Sequence, residues 1–279
     1  MNTQAYSTWL EIDLGALKHN IKLIKDMTGT KLMAVIKANG YGHGVMAVAK
    51  AAEEAGADWL GVARMEEALN LRKAGIATEI MVLGFTPPVL IPEAVQHHIH
   101  VAIYDIEMAQ AYAEYARNSA GVLKAHLKVE TGMGRLGMDP ELALNFLSNR
   151  KDLTNIEIDG IFTHFARADE PDIDKTREQL SIFNHLLGEL RSLGLCPEMI
   201  HAANSAAVIN FPEAYFDMVR PGIAIFGLDP SPDTTLPSSF RKALTWKARL
   251  TSVRTLPPGH GVSYGSVYVT SQKERIGVI

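Results

Sequence analysis

Short runs of apolar residues alternate with amphipathic segments along most of the chain. The run 32–36, LMAVI, has no polar residue on either parity, which is typical of a strand covered on both faces, as in a parallel sheet. It ends at Lys37, and three glycines follow at once in ANGYGHG. Runs of this kind predict eight strands, over residues 32–37, 59–63, 80–84, 100–104, 123–130, 156–164, 198–202 and 218–220.

Helical patterns separate these strands. They cover residues 45–55, 65–74, 88–96, 106–117, 140–148 and 175–192, with a short helix after Asn204 and a further strand and helix in front of the first unit. Alternating strands and helices imply a parallel sheet. The number of units and the chain length favour a closed eight-stranded α/β barrel of the TIM type over an open doubly wound sheet. No clear GxGxxG fingerprint supports that dinucleotide-binding alternative.

The pattern changes after Gly227. The segment LDPSPDTTLPSSF is rich in proline, serine and aspartate, which indicates a linker. Apolar and polar residues then alternate, which predicts a mostly β domain. We therefore expect an α/β barrel over residues 13–228, a linker over 229–239 and the start of a mostly β domain over 240–279. The run IGVI ends in mid-strand, so we expect this domain to be incomplete.

Composition narrows the functional classes. The net charge is −4 and no run of lysine and arginine occurs, which argues against nucleic-acid binding. The N-terminus lacks the pattern of a secretory signal, and no apolar run approaches the length of a membrane span. The single cysteine, Cys196, excludes an internal disulfide framework and fits a cytoplasmic protein.

Polar residues fall where such a barrel carries its active site, at the carboxyl ends of the strands. They are Lys37 and Tyr41 after the first strand, Arg135 after the fifth, His164 on the sixth, Asn204 and Ser205 after the seventh, and Arg220 and Gly222 after the eighth. The helix start at Ser205 and exposed amides near Gly222 would attract an anion. A lysine at the mouth together with a phosphate site indicates pyridoxal 5′-phosphate, held as a Schiff base.

Each of these residues also has a structural interpretation. Ser205 would serve as a helix N-cap, Arg220 as a strand-end ion pair, and His164 as a hydrogen-bonded wall residue. The sequence HHIH, residues 97–100, precedes a strand and would lie at the other end of the barrel. We therefore expect no metal site there.

The motifs taken together resemble the alanine racemase family of fold-type III pyridoxal-phosphate enzymes. AVIKANGYGHG is similar to the segment with the cofactor lysine, and LKVETGMGRLG, THFARADE, HAANSAA, VRPGIAIFGL and VSYG resemble further family motifs in the same order. The resemblance covers essentially the whole chain. It implies an eight-stranded barrel followed by a mostly β domain, with residues 1–12 supplying a strand to that domain.

The resemblance also implies site roles. Lys37 binds the cofactor and is one catalytic base, and Tyr264 is the other. Arg220 faces the ring nitrogen beside His164. The phosphate-binding residues are Tyr41, Ser205, Gly222 and Ile223, with Asn204 nearby. Arg135 contacts the substrate carboxylate and the cofactor, and Lys128, carbamylated in some relatives, orients Arg135.

The implied activity is the interconversion of L-alanine and D-alanine by two bases on opposite faces, which supplies D-alanine for the bacterial cell wall. The implied assembly is a homodimer, with Tyr264 reaching the site of the partner subunit. Racemisation needs a proton removed from one face and returned on the other, so two bases are expected. If the chain is a fragment, we expect its own activity to be impaired.

Three alternatives stay open. One is a related amino-acid racemase or decarboxylase of the same fold type. Another is a noncatalytic pyridoxal-phosphate carrier, against which the β domain argues. The third is a catalytically silent fragment that binds the cofactor.

Overall fold

Eight parallel strands close into a barrel within residues Leu14–Ala243. The computed structural model describes residues 5–149 and 153–279, so the first four residues of the expected segment 1–12 lie outside it. The barrel strands are β2 (Lys31–Val35), β3 (Trp59–Val62), β4 (Glu79–Val82), β5 (Ile99–Ile103), β6 (Leu123–Lys128), β7 (Ile156–Phe162), β8 (Met199–His201) and β9 (Met218–Val219). Strand β9 pairs with β2 and closes the sheet. The predicted barrel is confirmed.

Helices connect the strands in the order that the sequence predicts. The α-helices are Leu14–Thr28, Val45–Glu54, Met65–Lys73, Ile91–Gln96, Ile106–Ala116, Pro140–Ser148, Asp174–Ser192 and Ser205–Asn210. The 3₁₀ helices of this unit are Pro88–Leu90, Pro212–Ala214 and Ile223–Phe226. No helix in the described ranges is both long and apolar enough to cross a membrane.

The two faces of the barrel strands bury different residues. On β2, Leu32 and Ala34 belong to the large cluster that includes the apolar faces of the helices. Met33 and Val35 belong to a smaller cluster with Trp59 and other side chains inside the barrel. Because successive side chains on a strand point to opposite faces, an unbroken apolar run is what a strand covered on both sides requires.

On several strands, polar side chains occupy positions that point into the barrel. Ala102, on β5, and Phe162, on β7, belong to the inner cluster. His100 is two residues from Ala102, and His126 and Lys128 alternate with outward Ala125 and Leu127 on β6. These three polar side chains are buried, as are His201 and Arg220. The barrel interior is therefore partly polar, a feature that the sequence pattern did not predict.

The second unit comprises the N-terminal residues up to Asp13 and Leu244–Ile279. Strand β1 (Thr8–Ile12) pairs antiparallel with β10 (Leu244–Ala248). The other pairs are β11 (Ser252–Leu256) with β14 (Glu274–Val278), and β12 (Gly261–Val262) with β13 (Tyr268–Val269). A 3₁₀ turn covers Tyr264–Ser266. The mostly β character expected after the linker is confirmed.

Gly160 makes room for a buried histidine inside the barrel. A Cβ added at Gly160 would lie 2.5 Å from Cγ of His126. Gly160→Ala should therefore lower the free energy of unfolding by about 1–3 kcal/mol, as overpacking does, in urea denaturation. Gly188, in the helix Asp174–Ser192, has no atom within 4 Å of such a Cβ. The control Gly188→Ala should stabilise the chain by up to about 1 kcal/mol, and equal effects of the two substitutions would contradict this packing.

Candidate active site

A cavity of about 530 Å³ opens at the carboxyl ends of the barrel strands, a size typical of small-ligand sites. Ten of the eleven residues singled out from the sequence line it: Lys37, Tyr41, Lys128, Arg135, His164, Asn204, Ser205, Arg220, Gly222 and Ile223. The eleventh, Tyr264, belongs to the other unit and is fully exposed there.

Lys37 lies two residues beyond the end of β2, and a left-handed turn over residues 38–42 follows it. The φ angles of Ala38, Asn39 and Tyr41 are 54°, 55° and 52°, a conformation that costs about 1–2 kcal/mol for a residue with a side chain. Such strain persists only where surrounding structure enforces it, and it clusters at functional sites. The glycines of ANGYGHG are explained by this turn, since Gly40, Gly42 and Gly44 also have positive φ.

Glu67 and Asn39 hold the turn in place. One oxygen of Glu67 accepts from the amide of Ala38 at 2.7 Å, and the other accepts from the amides of Ala63 and Arg64 at 2.8 and 3.2 Å. The amide of Val45 donates to Oδ1 of Asn39 at 2.9 Å. The carboxylate therefore links the lysine turn to the next strand–helix junction. Sequence reasoning missed Glu67 because its partners are backbone amides.

Ser205 lies against the backbone of the loop after β9. Its Oγ accepts from the amides of Gly222 and Ala224 at 2.9 and 3.2 Å, so the expectation of exposed amides at Gly222 is corrected. Because Oγ accepts both bonds, its own proton remains available to donate. The N-cap of the helix is Asn204, whose Oδ1 accepts from the amide of Ala207 at 3.0 Å. The N-cap interpretation of Ser205 is therefore wrong.

Tyr41 approaches the same loop. A Cβ at Gly222 would lie 2.5 Å from Oη of Tyr41, so only glycine allows this hydroxyl so close to the backbone. Burial raises the pKa of Tyr41, which keeps its proton available to donate. Two hydroxyl donors, from Tyr41 and Ser205, therefore lie beside Gly222.

Arg220 is buried and makes no ion pair within the described residues, so the ion-pair interpretation is wrong. Its Nη2 donates to the carbonyls of Thr163 and Ala202 at 2.7 and 3.0 Å, and its Nη1 donates to Nδ1 of His201 at 2.9 Å. Its guanidinium lies 5.2 Å from the ring centre of Phe162. Burial lowers the pKa of Arg220 to about 9, so it stays charged at neutral pH.

His164 lies beside Arg220 and is neutral. Burial, together with the charges of Arg220 and Lys128, lowers the pKa of His164 to about 3. Its Nδ1 is 3.3 Å from Nη2 of Arg220. Both protons of Nη2 already point to the carbonyls of Thr163 and Ala202, so His164 shares one of them in a longer, bifurcated contact, in which its Nδ1 is the acceptor because a guanidinium only donates. His164 is therefore a hydrogen-bonded residue of the cavity wall, as its structural interpretation predicts.

Lys128 and Arg135 form a second cationic group in the cavity. Burial and the nearby charge of Arg135 lower the pKa of Lys128 to about 8. The loop that carries Arg135 folds over Glu130, whose carboxylate accepts from the amides of Gly132 and Met133 at 2.5 Å and of Arg135 at 3.2 Å. Burial opposes ionisation of Glu130, but these amides hold its pKa below the usual value.

The cavity residues fit pyridoxal 5′-phosphate. Lys37 provides a primary amine, and the hydroxyls beside Gly222 provide donors for a phosphate. Within the described chain, no acceptor takes the Nε proton of Arg220 or its second Nη1 proton, so these donors are free for a ring nitrogen or a similar acceptor. The cationic lining suits an anionic ligand.

Two family models match the chain. The model described as Alanine racemase, N-terminal domain, matches residues 12–230. The model described as Alanine racemase, C-terminal domain, matches residues 243–279. The first covers most of the barrel unit, and the second covers the C-terminal part of the other unit.

Individual relatives are similar over nearly the whole chain. The alanine racemase of Symbiobacterium thermophilum is 45% identical over 273 residues, which cover 98% of this chain and 72% of that protein. The crystal structure of alanine racemase from D-cycloserine producing Streptomyces lavendulae is 38% identical with a TM-score of 0.91, covering 97% of this chain and 72% of that one. The histidine racemase of Leuconostoc mesenteroides is 32% identical with a TM-score of 0.86, covering 97% and 73%.

The buried charge of Lys128 predicts a pH-dependent stability difference. Its folded pKa of about 8 lies below the ordinary 10.5, so between these values the unfolded chain binds more protons and stability rises with pH. Lys128→Met should therefore be more stable than the parent near pH 7, by up to about 3 kcal/mol, and this advantage should vanish by about pH 10.5. The measurement is urea unfolding across pH in bicarbonate-free buffer.

Lys124 provides the matched control. It lies on the same strand, β6, but its side chain is 53% exposed. Near pH 7, Lys124→Met should lie within about 1 kcal/mol of the parent in stability, because exposed charges contribute little. A parallel pH dependence for the two variants would show that burial of Lys128 does not shift its pKa.

Proposed function

Because the chain belongs to the alanine racemase family, we propose that its barrel cavity holds pyridoxal 5′-phosphate on Lys37 and that Lys37 and Tyr264 exchange the α-proton of alanine. Members of the family are isomerases that interconvert L-alanine and D-alanine. One observation carries the proposal for this cavity. An amine, a donor-only guanidinium and a pair of hydroxyls line the same 530 Å³ space.

The chain's own residues divide the work of holding the cofactor. The hydroxyls of Tyr41 and Ser205 donate to its phosphate beside Gly222 and Ile223, which line the cavity there, and Asn204 caps the adjacent helix. Arg220 donates to the ring nitrogen, which then accepts a hydrogen bond and carries no proton of its own. When bound, pyridoxal phosphate stabilises negative charge at the α-carbon of the amino acid. His164, neutral beside Arg220, adds no positive charge there.

Proton transfer requires a base on each face of the α-carbon. Lys37 serves one face, and Tyr264 from a second copy of the chain serves the other. A homodimer would follow, because each cavity would be complete only with the partner's tyrosine. The full exposure of Tyr264 supports this assembly, since a catalytic tyrosine needs a site to enter.

Arg135 binds the substrate carboxylate. Its backbone is fixed by Glu130, and its side chain lines the cavity near Lys128. The lowered pKa of Lys128 leaves part of this amine neutral near pH 8. A neutral amine is the form that reacts with carbon dioxide, and carbamylation would turn a repelling neighbour of Arg135 into an attractive one.

Racemisation of a different amino acid is the second candidate. The similarity to a histidine racemase at 32% identity favours keeping it, although the identity to an alanine racemase is higher, at 45%. Circular dichroism assays with alanine, serine and histidine side by side decide between the two. Alanine turned over faster than both others is the expected result.

Borohydride reduction tests the cofactor site. Reduction of the chain loaded with pyridoxal phosphate, followed by peptide mapping, should place a pyridoxyl group on Lys37. The variant Lys37→Arg, which keeps the charge but lacks a primary amine, should incorporate none. A pyridoxyl group on another lysine of the parent chain would refute the assignment.

Tyr264→Phe tests the second base. It should lower alanine racemisation by about 10²-fold or more, in the range of lost acid–base catalysis. Exchange of the α-deuterium with solvent should survive for one enantiomer only, because Lys37 still serves one face. The control is Tyr268→Phe, which removes a hydroxyl that bonds to Glu274 in the same unit and should leave turnover unchanged. Equal loss of exchange for both enantiomers in Tyr264→Phe would count against two bases.

A further inference from the structure

A group of histidines runs through the barrel interior from Arg220 to a carboxylate. Nη1 of Arg220 lies 2.9 Å from Nδ1 of His201, and Nε2 of His201 lies 2.8 Å from Nδ1 of His126. Nε2 of His126 lies 3.4 Å from Oδ1 of Asp159, and neither atom has a hydrogen-bond partner among the described residues. The two histidines are fully buried, and the ring of His201 stacks on Phe162 at 4.8 Å.

Arg220 fixes the direction of the hydrogen bonds that run through these histidines. A guanidinium has donors only, so Nδ1 of His201 must accept and its proton lies on Nε2. That proton is donated to Nδ1 of His126, which places the proton of His126 on Nε2, toward Asp159. Both rings are neutral, since burial lowers the pKa of His126 to about 3 and that of His201 well below its ordinary value.

The same cluster has the composition of a metal site. Ligand atoms of His100, His126 and Asp159 lie within 4.8 Å of one another. A metal on His126 would need the lone pair of Nε2, which moves its proton to Nδ1. His201 would then have to accept at Nε2 and point its Nδ1 proton at the donor of Arg220, 2.9 Å away. Two donors would face each other, so the chain of hydrogen bonds excludes a metal while Arg220 keeps this position.

Asp159 provides the negative charge at the far end of this series of histidines. Burial opposes its ionisation, but the contacts with His100 and His126 hold the pKa of Asp159 below its usual value. The other groups around it are Lys124, at 3.9 Å, and His100, whose second nitrogen faces Glu79 at 3.4 Å. Arg220 has no carboxylate in direct contact among the described residues; its hydrogen bonds run through His201 to His126, whose Nε2 lies 3.4 Å from Asp159.

We propose that Asp159 is a positioning residue for the cavity and acts on Arg220 through a one-directional chain of neutral histidines, His126 and His201. Its negative charge, 3.4 Å from Nε2 of His126, favours the tautomer with the proton on that nitrogen, which keeps His201 oriented as the acceptor for Arg220. The side chain of Arg220 is thereby held with its remaining donors directed at the ligand. The catalytic consequence rests on the proposed function, whereas the hydrogen-bond direction does not.

Nitrogen-15 spectra of the full chain with labelled histidine test the direction. His126 and His201 should each carry a single proton, on Nε2, and each signal is assigned by substituting that histidine. A proton on Nδ1 of either ring, or on both nitrogens, would overturn the proposal. The same samples are analysed for metal, and about one zinc ion per chain would also overturn it, because His126 cannot hold both a proton and a metal at Nε2.

Asp159→Asn and Glu79→Gln form a matched pair that tests the role of the charge. Each removes one carboxylate charge from the same cluster, but only Asp159 faces His126. Asp159→Asn should shift the signals of His126 and His201, whereas Glu79→Gln should shift those of His100 alone. Unshifted His201 signals in folded Asp159→Asn would contradict the proposal. If this variant does not fold, the tautomers of His126 and His201 in the parent chain still test the proposal.

Turnover provides a second readout. Asp159→Asn should lower kcat for alanine by about tenfold, a coupling in the usual range for indirect effects, with KM changed less than twofold. Glu79→Gln should retain kcat within twofold. Parental kcat in Asp159→Asn would refute the positioning role. Absence of turnover in the parent, together with absence of a pyridoxyl group on Lys37 after borohydride reduction, would refute the proposed function instead, and the nitrogen-15 spectra would still test the direction of the hydrogen bonds.

Discussion

The burial of one guanidinium organises the carboxyl end of this barrel. Arg220 follows β9, yet its hydrogen bonds reach the carbonyls of Thr163 after β7 and Ala202 after β8. A buried cation without a carboxylate in contact is costly unless its donors are taken. The loops after neighbouring strands must therefore offer acceptors to it, and this requirement fixes their conformation around the cavity.

The same constraint explains why histidines lie inside the barrel. A guanidinium cannot accept a proton, so each ring that touches it must be neutral and must present a lone pair. Burial keeps His164 and His201 in that state. The cavity thus contains cationic donors and neutral rings, which suits an anionic ligand with an acceptor nitrogen. The proposed chemistry requires such a site, because an unprotonated ring withdraws electrons weakly and limits side reactions.

Much of this architecture could be predicted from the sequence, for reasons visible in single elements. The run LMAVI predicts a strand because both faces of β2 are buried, one against helices and one inside the barrel. The glycines after Lys37 predict a special turn, and positive φ values there bear this out. The ten cavity residues could be predicted because parallel strands in a barrel end at one rim and because the motifs resemble a known family.

The features that could not be predicted depend on contacts between residues distant in sequence. Glu67 and Glu130 support Lys37 and Arg135 through backbone amides, which leave no side-chain pattern to detect. Asp159 lies at the irregularity where β6 and β7 shift register, and no periodicity predicts which way a side chain points there. The structural interpretation of Ser205 as a helix N-cap was wrong because its neighbour, Asn204, takes that role, and sequence alone does not separate the two.

The central claim is that Arg220 meets the cofactor as a donor and leaves the ring nitrogen unprotonated. The most direct measurement is the nitrogen-15 chemical shift of ring-labelled pyridoxal phosphate bound to this chain, followed across the neutral pH range. A shift typical of an unprotonated, hydrogen-bonded pyridine nitrogen, constant with pH, is the expected result. A shift typical of a pyridinium ion would contradict this claim, because a protonated ring nitrogen and the guanidinium of Arg220 are both donors and cannot form a hydrogen bond with each other.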